Sequence, residues 1–124
     1  MYLEHVNITV PNPRGIANAL CRLFGWHVRW EGEAKDNGYS VHVGDDKSYL
    51  ALYEPACELE PEPARYTYVA GLNHVGVVVD DLNPVHDRVE AEGYKTYGYA
   101  DYDPGRRFYF IGPAGIEFEV AEYD

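Results

Sequence analysis

The sequence predicts an α+β protein built from two βαβββ modules, and three observations carry that prediction. One strand pattern is written twice, as Leu3–Val10 and as Leu72–Val79, each alternating and each with a histidine third. Each copy is followed by an Asn-Pro pair (Asn12-Pro13, then Asn83-Pro84) and an apolar run closed by glycine. The landmarks recur at a nearly constant offset. His5 and His74 are 69 residues apart, Asn12 and Asn83 are 71, Gly25 and Gly93 are 68, and Gly44 and Gly112 are 68. A repeat of this kind is the mark of a duplicated supersecondary unit.

In the first strand Val6, Ile8 and Val10 share a face, with His5, Asn7 and Thr9 on the other, because alternate strand residues point the same way. Asn12 is expected to cap a helix whose first residue is Pro13. Ile16, Ala19, Leu20, Leu23 and Phe24 keep helical spacing, and Gly25 ends the run. Strands are then predicted over Trp26–Glu33, Tyr39–Val43 and Ser48–Glu54, with turns at Asp36-Asn37-Gly38 and Gly44–Lys47.

The stretch from Pro55 to Ala70 interrupts the pattern. It sets Pro55, Pro61 and Pro63 among acids, which is linker chemistry. The order then repeats. The strand around His74 leads to Asn83 as N-cap, a short helix to Gly93, and strands over Tyr94–Tyr102, Arg107–Gly112 and Ile116–Glu122. The reading is one domain of 124 residues, with modules at 1–54 and 71–124 and a linker at 55–70.

Composition narrows the function classes. Apolar residues make up 46% and charged residues 25%, as in ordinary globular domains. The net charge of −11 argues against nucleic acid or an anionic membrane as partner. Glu58, Glu60 and Glu62 read as solvated acid. Twelve tyrosines suit strands and pocket walls. Nothing in the sequence reads as a membrane span, and Met1 leads almost directly into a strand, so the expected compartment is the cytoplasm. Cys21 and Cys57 are expected to be free thiols.

The repeat also groups residues that carry chemistry. At an offset of 68, Ala51 corresponds to Glu119. In the last strand Ile116, Phe118 and Val120 alternate with Glu117, Glu119 and Ala121, so an acid stands in mid-strand opposite an apolar face. If the two halves pair about a pseudo-twofold axis, His5, His74, Glu119 and Ala51 converge. Two imidazoles and a carboxylate bind Fe, Mn, Zn or Ni as divalent ions. Alanine at the fourth corner leaves such a site open. Either histidine alone would read as structural or exposed, and Glu119 alone as an edge charge that discourages aggregation. His27, His42 and His86 read as surface groups.

Over the whole chain these residues resemble the vicinal oxygen chelate superfamily of glyoxalases, extradiol dioxygenases, fosfomycin-resistance enzymes and bleomycin-binding proteins. The stretch from Arg107 to Glu119, an aromatic strand followed by Gly112-Pro113-Ala114-Gly115, looks like that family's closing hairpin. The resemblance implies paired βαβββ modules forming a cup-shaped mixed sheet around a metal. It implies His5, His74 and Glu119 as ligands, Glu119 taking that place by its distance from Gly115, with Glu117 the rival. It implies a homodimer, and a small-molecule substrate bound through neighbouring oxygens by a lyase or dioxygenase. The alternatives are a binding or sequestering protein for a bleomycin-like antibiotic and a fosfomycin-type thiol transferase. Ala51 departs from the carboxylate that glyoxalase-type lyases place at the fourth corner. Asn7, Tyr49, Tyr53, Arg107 and Tyr109 are the expected pocket residues. No general base is singled out; Tyr49, Tyr53 and Glu117 stay open.

Overall fold

The computed structural model describes residues 1–61 and 64–124, so the expectations for Glu62 and Pro63 lie outside the described residues. The chain divides into two compact units, Met1–Pro61 and Glu62–Asp124. In the first unit the order is β1 (His5–Thr9), α1 (Pro13–Phe24), β2 (His27–Glu33), β3 (Tyr39–Gly44) and β4 (Tyr49–Glu54). In the second it is β5 (Val75–Val78), α2 (Leu82–Ala91), β6 (Thr96–Tyr102), β7 (Gly105–Ile111) and β8 (Glu117–Tyr123).

Each unit folds the same way. The first sheet has the order β1-β4-β3-β2 and the second β5-β8-β7-β6. In both, the first strand pairs in parallel with the last and the remaining neighbours are antiparallel. The duplicated α+β pattern of the sequence is thus a duplicated mixed sheet.

The apolar face of each sheet is covered by its helix. In the first unit α1 packs on β3 and β4. Ile16, Leu20 and Leu23 are buried with Val10, Val41, Val43, Leu50 and Leu52. Burying each such side chain is worth about 1.5–3 kcal/mol. Asn12 caps α1 as expected, its side chain accepting the Gly15 N–H, and Gly25 closes it in the left-handed region at φ 71°. In the second unit Leu82, Val85 and Val89 of α2 are buried with Phe108, Phe110, Phe118 and Val120.

The cap of α2 departs from the expectation. Asp81, not Asn83, is the N-cap, and its side chain accepts the Asn83 N–H at 3.2 Å. The helix begins earlier because the Leu82 N–H finds its acceptor across the unit, in Glu122 Oε2 at 2.8 Å. Arg106 Nη2 grips the same carboxylate at 2.9 and 3.0 Å. Glu122 thereby ties β8 to the start of α2. The Arg106 guanidinium, and then the Leu82 N–H, hold its carboxyl below the ordinary value of 4.5.

A carboxyl whose folded value is depressed stabilises the fold above its unfolded value and ceases to as pH falls through the folded one. Acidification below about pH 4.5 should therefore cost wild-type stability in part through Glu122. Urea unfolding between about pH 7 and about pH 3 should show a shallower decline for Glu122→Gln. Parallel curves would remove Glu122 from the account.

Candidate functional site

The face of each sheet turned away from its helix carries polar residues together with histidine and tyrosine rings. In the first unit the strand register sets His5 opposite Tyr49, Asn7 opposite Ala51 and Thr9 opposite Tyr53. His42 stands opposite Ala51 from the other side, and Trp30 opposite His42. Cross-strand neighbours on one face meet, and here they meet as rings. His5 stacks on Tyr49 at 4.9 Å, Tyr49 on His42 at 4.6 Å, and His42 lies 5.0 Å from Trp30. The Arg29 guanidinium sits 4.6 Å from the centre of the Tyr49 ring.

One end of this row is tied down. His5 Nδ1 lies 2.9 Å from Glu4 Oε1, and the Tyr49 hydroxyl donates to the same oxygen at 3.3 Å. Burial, ahead of the charges of His5 and Arg29, pushes His42 below the ordinary imidazole value, so it favours the neutral form. Tyr53 lies against Gly38 and donates its hydroxyl to the Lys35 carbonyl at 2.8 Å. Asn7 is exposed on the same face, and Ala51 is buried beside it.

In the second unit β8 presents Glu117, Glu119 and Ala121 on one face. Tyr109 stands opposite Glu119, and Arg107 opposite Ala121. His74 immediately precedes β5, one residue short of the strand expected to contain it. Its Nε2 lies 3.0 Å from Glu119 Oε1, and Arg107 Nη1 lies 3.1 Å from Glu119 Oε2. One carboxylate is thus held by an imidazole on one oxygen and a guanidinium on the other. The Arg107 side chain lies 5.1 Å from the Tyr102 ring centre, and its buried Nε has no hydrogen-bond partner among the described residues. Tyr109 meets His74 edge-on at 5.8 Å. Burial, and then Glu119, pushes the Tyr109 hydroxyl upward.

Glu117, the rival carboxylate, is buried and fully engaged. Tyr66 donates to its Oε1 and Tyr97 to its Oε2. Burial alone would raise its carboxyl, but the two phenol hydrogen bonds outweigh that and leave it below 4.5. Burial, and then the Glu117 carboxylate, pushes Tyr97 up to about 12, so it stays a donor at neutral pH. Tyr66 belongs to the stretch read as linker. Its neighbour Arg65 also donates to the Gly115 carbonyl, at 2.8 Å, which fastens this stretch to the β7–β8 turn.

Of the residues singled out in the sequence, His74, Glu119, Arg107 and Tyr109 form one cluster within the second unit. His5 and Tyr49 form another within the first, with Asn7 exposed on the same face, while Tyr53 is engaged with Lys35. Among the described residues no group of three His, Cys, Asp or Glu side chains is gathered to hold a metal. Glu4, Trp30, Tyr66 and Tyr97 were not singled out in the sequence. Trp30 follows a bulge between Val28 and Trp30, which breaks strict alternation and misdirects any count along β2. His42 was expected at the surface and is instead half-buried in the ring row. His86 too is half-buried, edge-on to Phe108 at 5.0 Å with Nε2 3.0 Å from Thr96 Oγ1. No disulfide links Cys21 and Cys57, which are free. No helix among the described residues is long and apolar enough to cross a membrane.

No curated protein matches the sequence. Solved structures match its fold. A glyoxylase/bleomycin resistance protein/dioxygenase domain from Frankia sp. EAN1pec superposes with a TM-score of 0.83 at 16% identity, covering 100% of this chain and 98% of that one. An antibiotic binding protein from Streptomyces sp. CB03234 gives 0.74 at 13% identity, over 100% and 97%. A mutant fosfomycin resistance protein from Listeria monocytogenes, complexed with Mn(II) and 1S,2S-dihydroxypropylphosphonic acid, gives 0.71 at 14% identity, over 97% and 90%. Identities this low speak for the fold alone. The sequence family is settled by a separate match over residues 4–110, and the chain belongs to the Glyoxalase/Bleomycin resistance protein/Dioxygenase superfamily.

Proposed function

We propose that this protein is a divalent-metal enzyme, lyase or dioxygenase in type, that binds a small molecule through two neighbouring oxygens. His5, His74 and Glu119 are the ligands in this reading, for Fe, Mn, Zn or Ni. The observation that carries it is the His74–Glu119 pair. Their facing atoms are 3.0 Å apart. Two donors each about 2.1 Å from one ion and at right angles to each other are separated by about that distance. Arg107 on the far oxygen fits the same reading, since ligating carboxylates are themselves held by hydrogen bonds.

When bound, the metal supplies Lewis acidity toward the substrate oxygens. The chain's own residues supply the rest. Arg107 orients Glu119 and balances its charge, so that Oε1 is the oxygen left to coordinate. Tyr66 and Tyr97 occupy both oxygens of Glu117, which withdraws it as a rival ligand and as a general base. The unpartnered Arg107 Nε–H favours an oxygen-bearing group near it. Ala51 offers no fourth ligand, which speaks against a glyoxalase-type proton transfer through that position. We assign the protein to a homodimer, as the superfamily resemblance implies.

The test is elemental analysis of protein purified without a histidine tag. One divalent ion per chain is expected, removable by chelator and restored by Mn(II) or Zn(II). A chain that stays metal-free after incubation with each of the four ions overturns the reading. A second reading, sequestration without catalysis of a compound that carries a flat aromatic group, such as a bleomycin-like antibiotic, is favoured by the row His5–Tyr49–His42–Trp30, in which Trp30 stays half exposed.

A further inference from the structure

Glu4 stands immediately before β1, and no pattern in the sequence singles it out. Its side chain and that of Tyr49 close a small network around His5. Glu4 Oε1 lies 2.9 Å from His5 Nδ1 and accepts the Tyr49 hydroxyl at 3.3 Å. Tyr49 in turn stacks on the imidazole at 4.9 Å, the planes 16° apart. The main chain fastens the same three residues, because the Tyr49 N–H donates to the Glu4 carbonyl at 3.0 Å and His5 is the register partner of Tyr49. The ring is therefore held by one face and by one nitrogen.

That arrangement has a chemical consequence. An ionised carboxylate only accepts hydrogen bonds. In the neutral imidazole Nδ1 must then carry the proton, and Nε2 keeps its lone pair. Nε2 makes no hydrogen bond among the described residues. A free neutral histidine prefers the opposite tautomer, with the proton on Nε2, which cannot coordinate there. Imidazoles that ligate metals are characteristically held by a carboxylate or carbonyl on the other nitrogen, which sets tautomer and orientation.

We propose that Glu4 is a positioning residue for His5: with Tyr49 it fixes the Nδ1–H tautomer and the ring plane, and so presents Nε2 as the coordinating atom. The coordinating role rests on the function proposed above. The tautomer does not, since it exists in the metal-free chain.

The experiment uses the full chain, labelled with ¹⁵N and stripped of metal, at about pH 8, above the ordinary imidazole range. Long-range ¹H–¹⁵N correlation reads which nitrogen of His5 carries the proton. Wild type is expected to show protonated Nδ1. Glu4→Leu should move the proton to Nε2, and Glu4→Gln, whose amide oxygen still accepts, should keep it on Nδ1. Calorimetric titration with Mn(II) and Zn(II) should show Glu4→Leu weakened about 10–100-fold, the usual effect of losing such a partner, with Glu4→Gln close to wild type. The Glu4 side chain is half exposed and its backbone contact survives substitution, so both variants should fold, as circular dichroism would verify. Protonated Nε2 in wild type, or an unchanged tautomer in Glu4→Leu, overturns the proposal. Wild type that binds neither of these metals, nor Fe(II) or Ni(II), overturns the proposed function instead, and the tautomer still decides the role of Glu4.

Discussion

Replacing His74 by alanine is expected to weaken divalent-metal binding by more than about 100-fold, beyond the range typical of losing an outer-shell partner. The variant removes one of three proposed ligands and leaves Glu119 paired with Arg107. A carboxylate balanced by a guanidinium is a poor ligand by itself, because the cation must be displaced or tolerated at close range. His5→Ala should have a similar effect. Neither change should harm the fold, since the side chains are 35% and 44% exposed and every apolar face is untouched. Titration calorimetry with Mn(II) and Zn(II), beside circular dichroism, reads both quantities. Wild-type affinity in either variant would move the site elsewhere.

The same two variants also read the assembly. If His5 of one copy joins His74 and Glu119 of another, mixing His5→Ala with His74→Ala subunits regenerates one intact ligand set per mixed dimer. Recovery of part of the metal binding on mixing is the outcome expected for a homodimer with shared sites. Two variants that stay inert together place all three ligands within one chain.

Phe118→Ala should cost about 3–5 kcal/mol of stability, the range for emptying a large aromatic site in a core. Phe118 is fully buried on β8, the central strand flanked by β5 and β7. Its ring stacks on Phe110 at 5.3 Å with the planes 17° apart, and Phe110 continues to Phe108 at 6.2 Å. The residue stands directly opposite Val75 and Phe110 in the register. Its neighbours cannot collapse into the space without moving β8, and β8 carries Glu117 and Glu119 on its other face. Loss of packing should therefore reach the proposed metal ligand Glu119 through the strand. Phe118→Leu fills most of the volume and should cost clearly less. Urea unfolding at a fixed pH measures both, and a loss below about 1 kcal/mol for the alanine variant would show that this ring is not central to the core.

Much of this protein is set by its sequence read locally. Period-two alternation and helical spacing are properties of neighbouring residues, so the element order, the two apolar faces and the duplication follow from the chain without a structure. The position of Glu119 on β8 follows too, because a strand's parity decides its face, whereas His74 falls just ahead of β5. The ring pair His5–Tyr49 follows once β1 is paired with β4.

Other features depend on which distant residues the fold brings together. Arg107 balances Glu119, and Tyr66 and Tyr97 close both oxygens of Glu117, across separations of 12, 51 and 20 residues. Nothing local distinguishes those acids: Glu117 and Glu119 sit two apart on one strand face and look alike in sequence. Register and the docking of the 64–71 stretch make one a sealed carboxylate held by two phenols and the other a carboxylate paired with His74 and Arg107. The cap of α2 moved to Asp81 for the same kind of reason, since Glu122 on another strand supplied the acceptor that Leu82 required. Bulges in β2 and β6 reset the alternation partway along each strand, which is why Trp30 could not be placed by counting. Side-chain direction is written in the local pattern; the charge state and the free valence of each polar group are decided by the tertiary neighbours that the pattern does not name.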